Sequence, residues 1–142
     1  MTVESALQAA LSVEHQVVYG YGLAAAHLSG PRYTAGLAAL AEAKARRDRL
    51  ADLLRRHGQI PAPAAPAYVP PRPVTNAATA VALCLALEHA AEGAAWDLVA
   101  ASSPGDAVRT LGVKWLGAAA VRATKWAGAT ATAEPPLPGR PT

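Results

Sequence analysis

The prolines of this chain are concentrated in one internal stretch, which limits the folds that the chain can adopt. Six of the 12 prolines lie within Ile60–Val74, whereas 1–59 and 75–134 contain one proline each. Proline has no backbone N–H and a fixed φ, so this stretch can be neither a helix nor a central strand. We therefore expect two proline-poor halves joined by an extended connection.

The composition of the two halves favours helices. Alanine dominates the 52% of residues that are apolar, and phenylalanine is absent. Alanine is the best helix former, whereas the β-branched residues that favour strands are sparse. A chain of 142 residues also fits one domain of roughly 100–200 residues. The sequence thus predicts an all-α domain built from closely packed helices and excludes an all-β fold.

Helix-breaking residues divide the chain into four predicted helices. The first runs from Val3 to Leu28, with Thr2 or Ser5 as its N-cap, and the second from Thr34 to His57. Ser29-Gly30-Pro31 separates these two helices, and Gly58 ends the second. The third starts after Thr75 or Asn76 and ends near Ala101, and the fourth runs from its N-cap Ser103 to Ala127. Gly128 then stops the fourth helix, which leaves a bundle over 1–128 and an extended or disordered proline-rich tail over 129–142.

The proline-rich stretch has two interpretations. As a linker it would separate two helix pairs, each too small for a good core. As a crossover it would run the length of a four-helix bundle, because its 15 residues span about 46 Å in a polyproline II conformation. A helix of about 24 residues is about 36 Å long. These lengths favour a crossover between helices 2 and 3.

Charge and cysteine content exclude several classes of protein. The net charge of +3 comes from 13 basic and 10 acidic residues, and the basic run Lys44–Arg49 is interleaved with acidic residues, so that Glu42 can pair with Arg46 at i,i+4 spacing. Nucleic-acid and membrane binding are not indicated. The lone Cys84 and the absence of a recognisable signal peptide predict a cytoplasmic protein.

Two glutamates occupy positions that a bundle would bury. Glu14 and Glu88 lie on the apolar stripes of helices 1 and 3, and the segments around them align at an offset of 74 residues, as in a duplicated helical hairpin. Helices 2 and 4 direct Arg47, or Arg46, and Arg122 inward. We expect these residues, with Asp48 and Tyr21, to form a buried polar cluster, because an unpaired buried charge is costly.

A dinuclear metal site is the alternative interpretation of the glutamates. Bundles of this kind combine a Glu from each of two helices with Glu-x-x-His from each of the other two. No Glu-x-x-His occurs here, and inward arginines would repel cations. The sequence predicts no cofactor; a metal, if bound, would use Glu14, His15, Glu88 and His89.

No catalytic triad, phosphate loop or Cys-x-x-Cys pair is present. We expect a non-catalytic protein that acts by binding or assembly, as a homodimer through an alanine-rich helical face. A small acidic ligand held by Arg47 and Arg122 is a further alternative.

The chain resembles the actinobacterial ferritin-like domain of unknown function over about Leu7 to Trp126. The resemblance rests on Ala6–Gly22, with its Glu-His and Tyr-Gly-Tyr-Gly elements, and on the Arg46–Leu50 run, Pro61–Tyr68, Pro73–Thr75 and Leu87–Ala90. It implies a ferritin-like four-helix bundle without a recognised di-iron motif and without an established reaction.

Overall fold

Four α-helices account for most of residues 1–130, the part of the chain that the computed structural model describes. They are α1 (Val3–Ala25), α2 (Gly30–Arg56), α3 (Ala77–Ala101) and α4 (Ala107–Thr130). No strand occurs within these residues, so the predicted all-α four-helix fold is confirmed. None of the four helices is long and apolar enough to cross a membrane.

Short side chains fix the starts of α1 and α3. The hydroxyl of Thr2 accepts the backbone N–H of Ser5, and the hydroxyl of Ser5 accepts that of Thr2, both at 3.0 Å. Asn76 and Thr79 repeat this exchange at 2.9 and 3.0 Å. Each capping box satisfies N–H groups that a helix start leaves without intrahelical partners. Both N-caps are among the residues that the sequence predicted.

The junction between α1 and α2 differs from the prediction. The helix α1 ends at Ala25 rather than Leu28, and α2 already begins at Gly30. Pro31 lies in the first turn of α2, where its missing N–H breaks no intrahelical hydrogen bond. The proline that was expected to separate the helices therefore starts the second one.

The ends of α4 also differ from the prediction. Asp106, rather than Ser103, caps the helix, because its Oδ1 accepts the backbone N–H of Val108 at 2.8 Å. The helix continues through Gly128 to Thr130. The predicted tail therefore begins inside α4, and its residues 131–142 lie outside the described part of the chain.

The helices form two antiparallel hairpins that meet where α1 packs on α3. His57, just after α2, lies 3.1 Å from Glu4 at the start of α1. Arg109, at the start of α4, donates to the carbonyl of Val99 near the end of α3 at 2.9 Å. In each hairpin the start of one helix contacts the end of the other, so both hairpins are antiparallel.

The proline-rich stretch runs along the outer side of α1. Gln8 accepts the backbone N–H of Ala62 at 3.0 Å, and a ring nitrogen of His15 lies 2.9 Å from the carbonyl of Ala62. Further along, the rings of Tyr19 and Tyr68 meet edge to face, with centroids 5.8 Å apart. The stretch is therefore a crossover packed on the bundle, not a linker between separate helix pairs.

The core consists of two apolar clusters with a charged layer between them. One cluster contains Tyr21 and Trp126, and the other contains Leu11 and Leu50. Glu14 on α1 and Arg46 on α2 lie between the clusters, as do Glu88 and Glu92 on α3, and all four are buried. This layer is the candidate functional site.

Candidate functional site

Glu14 and Arg46 form a two-pronged ion pair between α1 and α2. Nε of Arg46 donates to Oε1 of Glu14 at 2.7 Å, and Nη2 donates to Oε2 at 3.1 Å. The two residues are only 3% and 6% exposed. Both carboxylate oxygens are thus occupied by one planar guanidinium group, which is the geometry that favours arginine over lysine.

Glu88 is fully buried on α3 and accepts hydrogen bonds from two other helices. Nε of Arg122 on α4 donates to its Oε2 at 2.9 Å, and the hydroxyl of Tyr21 on α1 donates to its Oε1 at 2.5 Å. The indole N–H of Trp126 in turn donates to the Tyr21 oxygen at 3.1 Å. This chain of bonds ties α1, α3 and α4 together around one carboxylate.

Arg122 also connects the interior to the surface. Its Nη1 donates to Oε2 of Glu42 on α2 at 2.7 Å, and the Glu42 side chain is 55% exposed. The predicted pairing of Glu42 with Arg46 is wrong, because Arg46 turns inward to Glu14. Glu42 instead bridges α2 and α4.

The two buried ion pairs occupy equivalent places in the two hairpins. In each hairpin the first helix supplies the glutamate and the second supplies the arginine: Glu14 with Arg46, and Glu88 with Arg122. The glutamates are 74 residues apart and the arginines 76 residues apart. This arrangement supports the predicted duplication. The inward arginine of the first hairpin is Arg46 and not Arg47.

Arg47 and Asp48 do not belong to the cluster, contrary to the prediction. Nε of Arg47 donates to Oδ1 of Asp48 at 3.0 Å, with side chains 32% and 69% exposed. A pattern of leucines would place Leu37 on the buried side of α2, but this residue is 40% exposed. The buried stripe instead runs through alanines at Ala39 and Ala43 to Arg46. In an alanine-rich helix, leucines are therefore a poor guide to the inward face.

One buried carboxylate was missed by the sequence analysis. Glu92 lies one turn after Glu88 on α3 and is also fully buried. The i+4 spacing from Glu88 places both on one face of the helix, and this spacing could have identified it.

The histidines lie beside the cluster rather than in it. His15 faces the crossover, where a ring nitrogen meets the carbonyl of Ala62. His89 is half-buried, one position beyond Glu88 and so about 100° around the helix from it. The structure does not bring His15 together with Glu14 as a ligand pair.

The donor set does not fit a di-metal centre. Glu14 and Glu88, the carboxylates that would bridge the metals, each accept hydrogen bonds from an arginine on the neighbouring helix. Within residues 1–130, no three His, Cys, Asp or Glu side chains converge in a way that could hold a metal ion. Two guanidinium groups instead supply the positive charge that metal ions would bring.

Burial controls the proton affinities in the cluster. It raises the pKa of Glu14, although Arg46 opposes this shift by hydrogen bonding and by its charge. Burial alone would lower the pKa of Arg46, but the hydrogen bonds and charge of Glu14 outweigh it, so the pKa rises and the guanidinium stays protonated. Burial also raises the pKa of Tyr21, and the charge of Glu88 adds to this shift.

Cys84 is unsuited to act as a nucleophile. Burial, reinforced by the charge of Glu88, raises the pKa of its thiol to about 12. Since the thiolate is the reactive form, this thiol is inert near neutral pH.

The space beside the buried ion pairs is too small for a substrate. A cavity of about 10 Å³ lies between the helices beside Glu14, Arg46, Trp115 and Arg122. Such a volume holds about one water molecule at most. Chemistry on an organic substrate inside this cavity would require the four helices to move apart.

Two of three comparisons with known proteins found a match to this chain. The family described as "Domain of unknown function (DUF4439)" matches residues 6–142. A crystal structure of a conserved hypothetical protein from Mycobacterium tuberculosis is similar in fold, with a TM-score of 0.85 and 31% sequence identity. The match covers 89% of this chain and 96% of the mycobacterial one. A comparison with curated proteins found no match.

Proposed function

We propose a non-catalytic binding function for this chain, which belongs to the DUF4439 family of domains of unknown function. In this proposal the protein is a ferritin-like bundle in which a buried Glu–Arg cluster stands in place of a di-metal site. One observation carries it: each glutamate that a di-metal centre would need, Glu14 and Glu88, is paired with an inward arginine of the next helix.

The chemistry of the cluster supports a structural role for it. Arginine cannot give up its proton in a protein, so Arg46 and Arg122 are neither acids nor bases. The Tyr21 hydroxyl donates a hydrogen bond to Glu88 and accepts one from the Trp126 indole, so it has a partner both as a donor and as an acceptor. Neither the two arginines nor Tyr21 is therefore poised for proton transfer or nucleophilic attack.

The metal-binding or oxidoreductase alternative has less support. It would use Glu14, His15, Glu88 and His89, yet His15 lies against the crossover. The small acidic ligand is better supported, although not at Arg47, whose side chain pairs with Asp48.

Self-association is part of the proposal. Val113 and Val121, two turns apart on α4, are 55% and 56% exposed. Gly117 lies between them on the same face and is exposed as well. We place the homodimer contact on this face. Val113→Glu and Val121→Glu should convert a dimer into a monomer in sedimentation experiments, whereas Val69→Glu, at an exposed crossover position, should not.

The metal content of the protein tests the proposal as a whole. The full chain would be expressed with iron, manganese and zinc supplied, purified without an affinity tag and measured by elemental analysis. The control is the Glu14→Ala/Glu88→Ala variant. Metal well below one ion per chain is expected in both. Stoichiometric metal that is lost in the variant would overturn the proposal.

A further inference from the structure

The cleft between the first half of α2 and the end of α4 has the character of a ligand site. Its volume is about 320 Å³, at the lower end of the roughly 300–1,000 Å³ typical of small-molecule sites. It lies outside the charged layer but touches it, because Glu42 and Arg122 line it on one side.

The walls of the cleft combine an apolar surface with positive charge. Ala35, Ala38 and the indole of Trp126 provide the apolar part. Arg32 on α2 and Lys125 on α4 provide the charge.

The charges of the cleft do not cancel. Arg122 is balanced by Glu88 and Glu42. Arg32 and Lys125 are both exposed, and no acidic group among residues 1–130 forms a salt bridge with either. Arg122, Glu42 and Glu88 together carry one negative charge, so Arg32 and Lys125, at the edge of the apolar cleft, leave the site with a net charge of +1.

We propose that this cleft binds a small organic carboxylate with an apolar chain. The carboxylate lies between Arg32 and Lys125, and the chain packs on the alanines and on Trp126. This inference rests on the proposed binding function and extends it, because it names a class of ligand and the cleft that binds it. Charge complementarity selects the anion, and the apolar wall selects against small inorganic ions.

The test uses the full chain and three probes: octanoate, acetate and octylammonium. Binding is followed by NMR through the three tryptophan indole N–H signals, because Trp126 lines the cleft whereas Trp96 and Trp115 do not. Octanoate is expected to shift the Trp126 signal saturably and to bind about tenfold or more tightly than acetate, because it buries additional methylene groups. Octylammonium, with the same chain and the opposite charge, should not saturate the signal.

Charge reversal at exposed positions supplies matched variants. Arg32→Glu and Lys125→Glu should each weaken octanoate binding about tenfold, as expected for loss of one charged partner. Arg56→Glu and Lys114→Glu change the same residue types on the same helices, outside the cleft, and should leave binding unchanged. Circular dichroism checks that all four variants fold.

Three results would overturn the inference: no saturable octanoate binding, acetate binding as tightly as octanoate, or equal effects of the cleft variants and their controls. These results are independent of the metal analysis. Bound metal would overturn the proposed function, whereas failure of octanoate to bind would remove the cleft ligand and leave the Glu–Arg cluster as described.

Discussion

Arg46 donates from Nε and Nη2 to the two carboxylate oxygens of Glu14, and this ion pair lies buried between the two helices of the first hairpin. The arginine belongs to α2 and the glutamate to α1, so the pair fixes how these helices face each other. Burying both charges is costly, and replacing both by apolar residues is often neutral or stabilising. The pair therefore acts through specificity: it allows only arrangements of α1 and α2 in which each charge meets the other.

The Tyr21 hydroxyl is expected to stabilise the second half of the cluster. Tyr21→Phe removes the group that donates to Glu88 and accepts from Trp126. Two buried polar atoms then each lose a partner, so we expect a loss of about 1–3 kcal/mol in the free energy of unfolding. Urea denaturation measures it. Tyr19→Phe, at a residue 38% exposed, is the control and should change stability by less than about 0.5 kcal/mol. Equal effects of the two variants would contradict the hydrogen-bonded chain.

The protonation of Glu14 should be visible in the pH dependence of stability. Its pKa in the folded protein lies above the ordinary value of 4.5 because the side chain is buried. Between pH 4.5 and the folded pKa, Glu14 is therefore more protonated in the folded state than in the unfolded state. The stabilisation from this proton is fully present below pH 4.5 and is lost as the pH rises through the folded pKa. As the pH rises from 4.5 to the folded pKa of Glu14, the unfolding free energy of the wild type should fall relative to that of Glu14→Gln.

Carbon-detected NMR of the carboxyl groups measures the pKa of Glu14 directly. Glu14 should titrate above 4.5. Glu4 serves as the internal reference, because a backbone hydrogen bond and then a hydrogen bond with His57 lower its pKa. If Glu14 titrated below Glu4, the burial argument would be wrong.

Close packing of α3 on α4 depends on Gly112. A Cβ at this position would lie 2.9 Å from Cγ2 of Val99 and 3.1 Å from the backbone oxygen of Ala95. The backbone oxygen cannot move without moving α3, so Gly112→Ala should destabilise the protein by about 1–3 kcal/mol, as overpacking does. Gly93→Ala, in the middle of α3, is the matched control, since nothing lies within 4 Å of its added Cβ. It should stabilise the helix by up to about 1 kcal/mol, and thermal unfolding of both variants checks the opposite signs.

The fold was predictable because its strongest signals are local. The prolines between Ile60 and Val74 exclude regular structure, and alanine-rich segments on both sides favour helices, so the all-α bundle and its crossover follow. Helix ends were less predictable. Pro31 can end one helix or begin the next, and the structure places it in the first turn of α2.

The cluster was predictable in part. Glu14, Glu88 and Arg122 interrupt apolar stripes, and the structure brings each of them into the charged layer. Arg46 and Arg47 are adjacent in the sequence, so a rotation of α2 by one residue exchanges them, and alanine gives little contrast between the two faces. The link from Arg122 to Glu42 spans 80 residues, and no local pattern could reveal it.

A double-mutant cycle across Glu14 and Arg46 tests the central claim, that the buried carboxylates are held by arginine as a structural pair. The variants are Glu14→Met, Arg46→Met and the double variant, with Arg47→Met as the control one position away. Unfolding free energies from urea denaturation are compared. Each single change at Glu14 or Arg46 strands a buried charge and should cost about 3–5 kcal/mol. The double variant should be more stable than either single variant, and Arg47→Met should cost less than about 0.5 kcal/mol. Additive losses in the double variant, or an equal loss at Arg47, would contradict this account.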